Sequence, residues 1–315
     1  MAGIYVESWA PDYGTPLEHD PGLAPAAGVI DPTVEMTGWR PVTADPSVAD
    51  DVAVVDFVDG TRRVDARLTL DEPSGPVAGL CGSVAVGATR WDRSGVLSTI
   101  EDVRLERLAI FASGREADIP VAGALRYESV SVAGDDPALL VRHLHGQMRH
   151  AEAQLAADLA ARGHLVIADG PINALKPQSV IGFIKTHRVN YLGVDESAIV
   201  GRLEAGQRTP LFLMDAHLYA RYSWYLRLAE VPGGHTWSGI VRCEVPASLG
   251  IASAVRFADI AAALLPGTAP PLHTDPRAPQ NLVPIAALER HLRRSFGDAG
   301  LVYRAIRQAV MEGAA

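Results

Sequence analysis

The stretch DVAVVDFVDGTRRVDARLTL, residues 51–70, sets the architecture. Its first half, DVAVVDFVDG, is a valine-rich run of the length of a buried strand. In the second half Val64, Ala66, Leu68 and Leu70 alternate with polar neighbours, the period of a half-buried strand. Asp59-Gly60 stands between the halves and is a strong hairpin signal, so the stretch reads as two antiparallel strands. GPVAGLCGSVAVGA (75–88) reads as a third strand. VRLERLAIFAS (103–113) and LRYESVSV (125–132) either extend the sheet or form an insertion after that third strand.

Residues 136–162 carry the clearest helical pattern. Asp135 or Asp136 can cap it, Pro137 sits near its first turn, and Gly163 lies just past its end. HLVIADG (164–170) and SVIGFIKT (179–186) are short apolar strands, the first ending at an acid. Further on, TPLFLMDA (209–216), SWYLRL (223–228) and SGIVRCEV (238–245) read as strands. FADIAAALL (257–265), IAALERHLRRSF (285–296) and GLVYRAIRQAVM (300–311) read as helices. Successive hairpin-linked strands, then strands reached through a helix, predict an α/β fold: a mixed β-sheet flanked by helices. Residues 1–50 are rich in Pro, Gly, Asp and Ala and read as an irregular N-terminal extension with one short strand at 4–9. The domain proper is then 51–315.

Composition narrows the classes. With 48% hydrophobic and 21% charged residues, the 315-residue chain can bury a sizeable core. No window of 18 uninterrupted apolar residues predicts a membrane span, and the N-terminus does not read as a signal peptide. Cys81 and Cys243 have no metal-ligand spacing; they fit buried thiols and a cytoplasmic location. A net charge of −9 argues against a protein that simply coats DNA. It is compatible with a carboxylate cluster that binds cations, and with a partner protein that brings the DNA. No phosphate-binding loop of the type Gly-x-x-x-x-Gly-Lys-[Ser/Thr] and no Gly-x-Ser-x-Gly elbow occurs, against ATP hydrolysis and serine-hydrolase chemistry.

Three acids are placed to carry chemistry. On the first strand Asp59 and Asp56 compete. Asp59 is explained equally by a hairpin turn, whereas Asp56 sits inside the apolar run, where a carboxylate is costly without a partner. On the helix, Glu152 lies within the stripe of Leu144, Met148, Leu155 and Leu159, and so faces the sheet. The plainer account of Glu152 is a salt bridge, for example to Arg149 or to a core arginine. Asp169 ends the strand HLVIAD, where acids often line sites in α/β folds, although a turn aspartate looks the same. A strand acid, an acid on the core face of the next helix and an acid ending the following strand give the order of an RNase H-like site, with a core at about 51–190. Phosphodiester cleavage by two divalent ions about 3.5–4 Å apart needs such a gathering, and Mg²⁺ and Mn²⁺ prefer oxygen ligands. A working site should bring these oxygens to one point, about 2.0–2.6 Å from an ion; a mere scaffold would show them splayed or salt-bridged.

These residues resemble the NurA nuclease family. The resemblance rests on VVDFVDGTRR (54–63), MRHAEAQLAADLAARGHLVIADGP (148–171) and IGFIKTHRVNYL (181–192). YSWYLRL (222–228), GIVRCEVP (239–246) and APQNLVPIAALE (278–289) add to it, and it spans most of 51–311. It implies an RNase H-like fold and a Mn²⁺- or Mg²⁺-dependent DNA nuclease, with single-strand endonuclease and 5′→3′ exonuclease activity. It also implies a homodimer that works with the hexameric HerA ATPase in DNA end processing or repair. Carried over by position, the metal-binding acids fall on Asp59, Glu152 and Asp169, which decides for Asp59 over Asp56. For the last site residue His273, Asp275 and Asn281 compete, with Asp275 taken as a fourth metal ligand. Thr61 replaces the family's serine, and the Asp59–Glu152 spacing is long. These departures keep a second expectation open, a catalytically inactive scaffold or adaptor for a motor ATPase.

Other features read less sharply. Lys185, His187 and Arg188 follow the strand IGFI; Lys185 there is placed to hold a phosphate, or is a solvated strand end. Arg242 and Glu244, two apart on one strand face, suit a structural ion pair rather more than a role in binding the strand being cut. His143, His145 and His150 do not share one helix face and make a poor zinc site. Tyr219, Tyr222, Trp224 and Tyr225 fill a core or seam more readily than they stack on bases.

Overall fold

The computed structural model describes residues 3–6, 28–95, 98–120, 123, 125–172, 179–187, 189–216 and 219–313. Its strands are β1 (Gly3–Val6), β2 (Val29–Asp31), β3 (Val42–Thr43), β4 (Val54–Glu72), β5 (Gly75–Asp92), β6 (Ser98–Phe111), β7 (Glu128–Ser131), β8 (Leu165–Asp169), β9 (Val180–Ile184), β10 (Gln207–Arg208), β11 (Phe212–Ala216), β12 (Tyr219–Arg227) and β13 (Ile240–Pro246). The helices are α1 (Ala138–Ala161), α2 (Val194–Val200), α3 (Ile251–Leu264), α4 (Val283–Ser295) and α5 (Ala299–Gly313).

Residues 51–70 do not turn at Asp59-Gly60. β4 runs straight through them for 19 residues and pairs with β5 along its whole length. The turn comes later, at Pro73-Ser74, with Glu72 facing Gly75 across it. The two strands read in 51–70 are therefore one, and β6 is the sheet's third strand. β7, parallel to β6, is the extra piece that follows it. The Asp-Gly signal was overridden because β5 offers backbone partners to both halves in one continuous ladder.

The order β6-β5-β4-β8-β9, with β8 and β9 parallel to β4 and α1 linking the two groups, is the RNase H-like arrangement. The C-terminal half enlarges it: β13, β12, β11 and β2 continue the sheet antiparallel beyond β9. Adjacent residues point to opposite layers, as strand geometry requires. Val58 and Val166 pack with Leu144, Leu155 and Leu159 of α1, whereas Phe57 and Ile167 pack with Ala258 and Ala261 of α3. α4 lays Leu288 and Leu292 on Ala85. Cys81 and Cys243 are unpaired and buried, as expected.

The first fifty residues are more ordered than an irregular extension where they are described. β1 pairs with β4, β2 with β11 and β3 with β10. Ala49 is buried among the residues around α3. Glu35 receives both terminal nitrogens of the buried Arg208, at 3.0 and 2.9 Å, and Asp259 of α3 takes its Nε at 2.7 Å. The segment Ile251–Thr268 is long and apolar enough, by length and composition alone, to cross a membrane. In this fold it is a core element that buries Ala254, Ala258, Ile260 and Ala261, and its Asp259 anchors Arg208.

Candidate active site

Three elements meet at one place. Asp59 comes from the middle of β4, Asp169 from the carboxyl end of the neighbouring parallel strand β8, and Glu152 from the sheet-facing stripe of α1. Asp59 and Glu152 are 8% and 6% exposed, in a protein interior where an unpaired carboxylate is costly. Gly60 lets α1 come close: a Cβ there would lie 2.6 Å from Glu152 Oε1. Its backbone N–H donates to Asp59 Oδ1 at 2.8 Å and also favours the ionised form of Glu152.

The acids feel one another. Burial, then the charges of Asp169 and Glu152, drive the Asp59 carboxyl well above its ordinary range, with Lys185 opposing. Burial, with Asp169 adding to it, pushes Glu152 to about 7 against the pull of Arg149. Carboxylates raised in this way are what a divalent cation would relieve, and their oxygens are hard donors suited to Mg²⁺ or Mn²⁺.

Cations of the chain itself stand among these acids. Arg149 Nη1 donates to Glu152 Oε2 at 2.7 Å and to the Asp169 carbonyl at 3.1 Å, and Nη2 donates to the Pro171 carbonyl at 2.6 Å. Lys185, just beyond β9, donates from Nζ to Asp169 Oδ2 at 2.7 Å and to Asn281 Oδ1 at 3.0 Å. Among the described residues no group of three or more His, Cys, Asp or Glu side chains is arranged to hold a metal ion. The donor chemistry fits a hard cation, while Glu152 and Asp169 as they stand are engaged in ion pairs.

Asp275, expected as a fourth metal ligand, is not brought to the other acids. It reaches the site only through Asn281, whose Nδ2 donates to Asp275 Oδ2 at 2.9 Å. The Arg277 N–H, Asn281 and the Arg277 side chain hold its carboxyl down to about 2. Asn281, one of the three residues weighed for this place, is fully buried beside Lys185, and His273 is exposed in a turn. Asp56 belongs to another cluster: its carboxylate meets His164 at 2.6 Å and Arg90 at 3.2 Å.

Arg149 is the participant that the sequence offered only as a salt-bridge partner. It braces Glu152 and the chain after Asp169 together. Behind it, Glu244 on β13 accepts from the Ile172 N–H at 2.9 Å and from Arg242 and Arg221 at 2.7 and 2.9 Å. Arg242 and Glu244 are thus a buried ion pair that also supports the turn after β8. Trp224 and Tyr225 are fully buried in cores on opposite faces of the sheet, as a packing role predicts. His143 contacts Gln147 and His145 contacts Arg62, so the helix histidines serve separate neighbours. His187 lies against Tyr225 and Trp237; Arg188 lies outside the described residues.

No family model matches this sequence, and no curated protein matches it. Among solved structures it is similar to the crystal structure of the NurA nuclease from Sulfolobus solfataricus, at 12% identity and a TM-score of 0.50. The match covers 87% of this chain and 88% of that one. At that identity the likeness speaks for the fold alone, and in its fold this chain is NurA-like.

Proposed function

We propose that this protein is a metal-dependent DNA nuclease whose site is Asp59, Glu152 and Asp169. The observation that carries the reading is the meeting of these acids, from β4, α1 and β8, close enough that the charges of Asp169 and Glu152 raise the Asp59 carboxyl and that of Asp169 raises Glu152. Those three residues would hold Mn²⁺ or Mg²⁺, which supplies Lewis-acid stabilisation of the charge on a phosphodiester. The chain's own groups do the rest. Arg149 fixes the Glu152 carboxylate and the carboxyl end of β8 in one orientation. Lys185, 19% exposed at its side chain, offers an ammonium to the phosphate. The buried walls of β4 and α1 limit water around the acids. The proposal extends to a homodimer that works with a HerA-like hexameric ATPase, a partner suited to deliver DNA to a chain of net charge −9.

One observation favours a second reading, a catalytically inactive scaffold for a motor ATPase. Glu152 and Asp169 each lend an oxygen to a cation of the chain, Arg149 and Lys185, which is the salt-bridged state expected of an idle site.

Cleavage of labelled single- and double-stranded DNA in Mn²⁺, Mg²⁺ or EDTA separates the two. The nuclease reading expects cutting that EDTA abolishes and that falls roughly 100-fold or more in Asp169→Ala and Glu152→Ala. Equal cutting by all three proteins rejects the site, and no cutting by the unaltered protein with either metal favours the scaffold.

A further inference from the structure

We propose that Lys185 is a built-in counter-ion of Asp169, seated on a carboxylate that would help hold a divalent cation, and that ammonium and cation compete for it. The inference rests on the metal-dependent reading above and adds what regulates occupancy of that site.

The geometry gives Lys185 two seats. One is Asp169 Oδ2 at 2.7 Å, and the other is Asn281 Oδ1 at 3.0 Å. The second seat is built for it. Asn281 is fully buried, and its Nδ2 donates to Asp275 Oδ2, which turns the amide oxygen towards the ammonium. Asp275 is itself fixed by the Arg277 N–H at 2.7 Å. A divalent ion at Asp169 would repel the ammonium from its first seat but leave the neutral amide oxygen in place. Lys185 would then keep Asn281 and turn its freed donors outward, towards a phosphate. A lysine suits such an exchange, being a compact charge on a flexible stem. Arg149 does not: its guanidinium is held by Glu152 and by two backbone carbonyls.

Isothermal titration of Mn²⁺ into the full chain tests this. Lys185→Met and Lys185→Gln should bind Mn²⁺ about tenfold more tightly than the unaltered protein, the scale of one charge-assisted hydrogen bond no longer competing. Both should cut DNA more slowly. Lys185→Arg, which keeps the charge, should show no such tightening. Should Lys185→Met melt at a much lower temperature, Lys185→Gln carries the test. Mn²⁺ affinity that is unchanged or weaker in both neutral variants, with binding abolished by Asp169→Asn, overturns the exchange and leaves the metal reading standing. Absence of Mn²⁺ binding in the unaltered protein and in every variant overturns both.

Discussion

Gly60 shows how one residue can be read correctly as important and for the wrong reason. Beside Asp59 it signals a hairpin, yet the chain runs on as β4 and the glycine serves instead to admit Glu152. A methyl at that point would collide with the Glu152 carboxylate at 2.6 Å. Gly60→Ala should cost about 1–3 kcal/mol in denaturant unfolding and, on the nuclease reading proposed above, lower Mn²⁺-dependent cutting, because the acid it displaces belongs to the proposed site. Glu152 was legible because an acid inside an apolar helical stripe is anomalous. Asn281 was named but its part was not legible, because the contact with Lys185 spans most of the C-terminal half and no local pattern announces it. Glu244 gives a pH prediction. Burial alone would raise its carboxyl, but Arg242 and Arg221 outweigh burial and hold it below its ordinary 4.5. A group lowered in the folded state favours folding above its unfolded value, and that gain is lost as pH falls through the folded one. Glu244→Gln should therefore flatten the loss of thermal stability on acidification below about 4.5, measured as melting temperature against pH.

At the scale of elements, α1 was the most legible part of the chain, since its caps and its stripe point to one answer. It packs closely: Leu144 is fully buried, and a Cβ on Gly82 of β5 would lie 2.6 Å from its Cδ2. Leu144→Ala should cost about 2–5 kcal/mol by chemical denaturation, since β5 cannot move in to fill the space. β4 was less legible. Whether a run of this kind bends or continues depends on what pairs with it, and β5, 18 residues long, is the partner that keeps it straight. β8 and β9 were readable as short apolar runs, but the parallel pairing of β8 with β4 follows from α1 crossing the sheet before it, and β9 then pairs parallel with β8.

For the whole molecule, the sequence conveyed the mixed sheet and its helical cover but not the way the first fifty residues join it. Their short strands carry too few residues to show a period, and the contact that ties them down is ionic. Arg208, 1% exposed, draws on Glu35 from that region and Asp259 from α3. Glu35→Ala should leave this guanidinium half-compensated in the interior, lowering stability by about 1–3 kcal/mol in thermal or urea unfolding. The proposed site is itself a whole-molecule property. Asp59, Glu152, Asp169, Lys185 and Asn281 come from β4, α1, β8, the end of β9 and the approach to α4. Contacts between such distant segments form late, after the intervening chain has been ordered. A chain still emerging from the ribosome would hold the first acids without the amide that steadies the lysine. Any strand-cutting capacity seated there would thus reach its full rate only when the final helices dock.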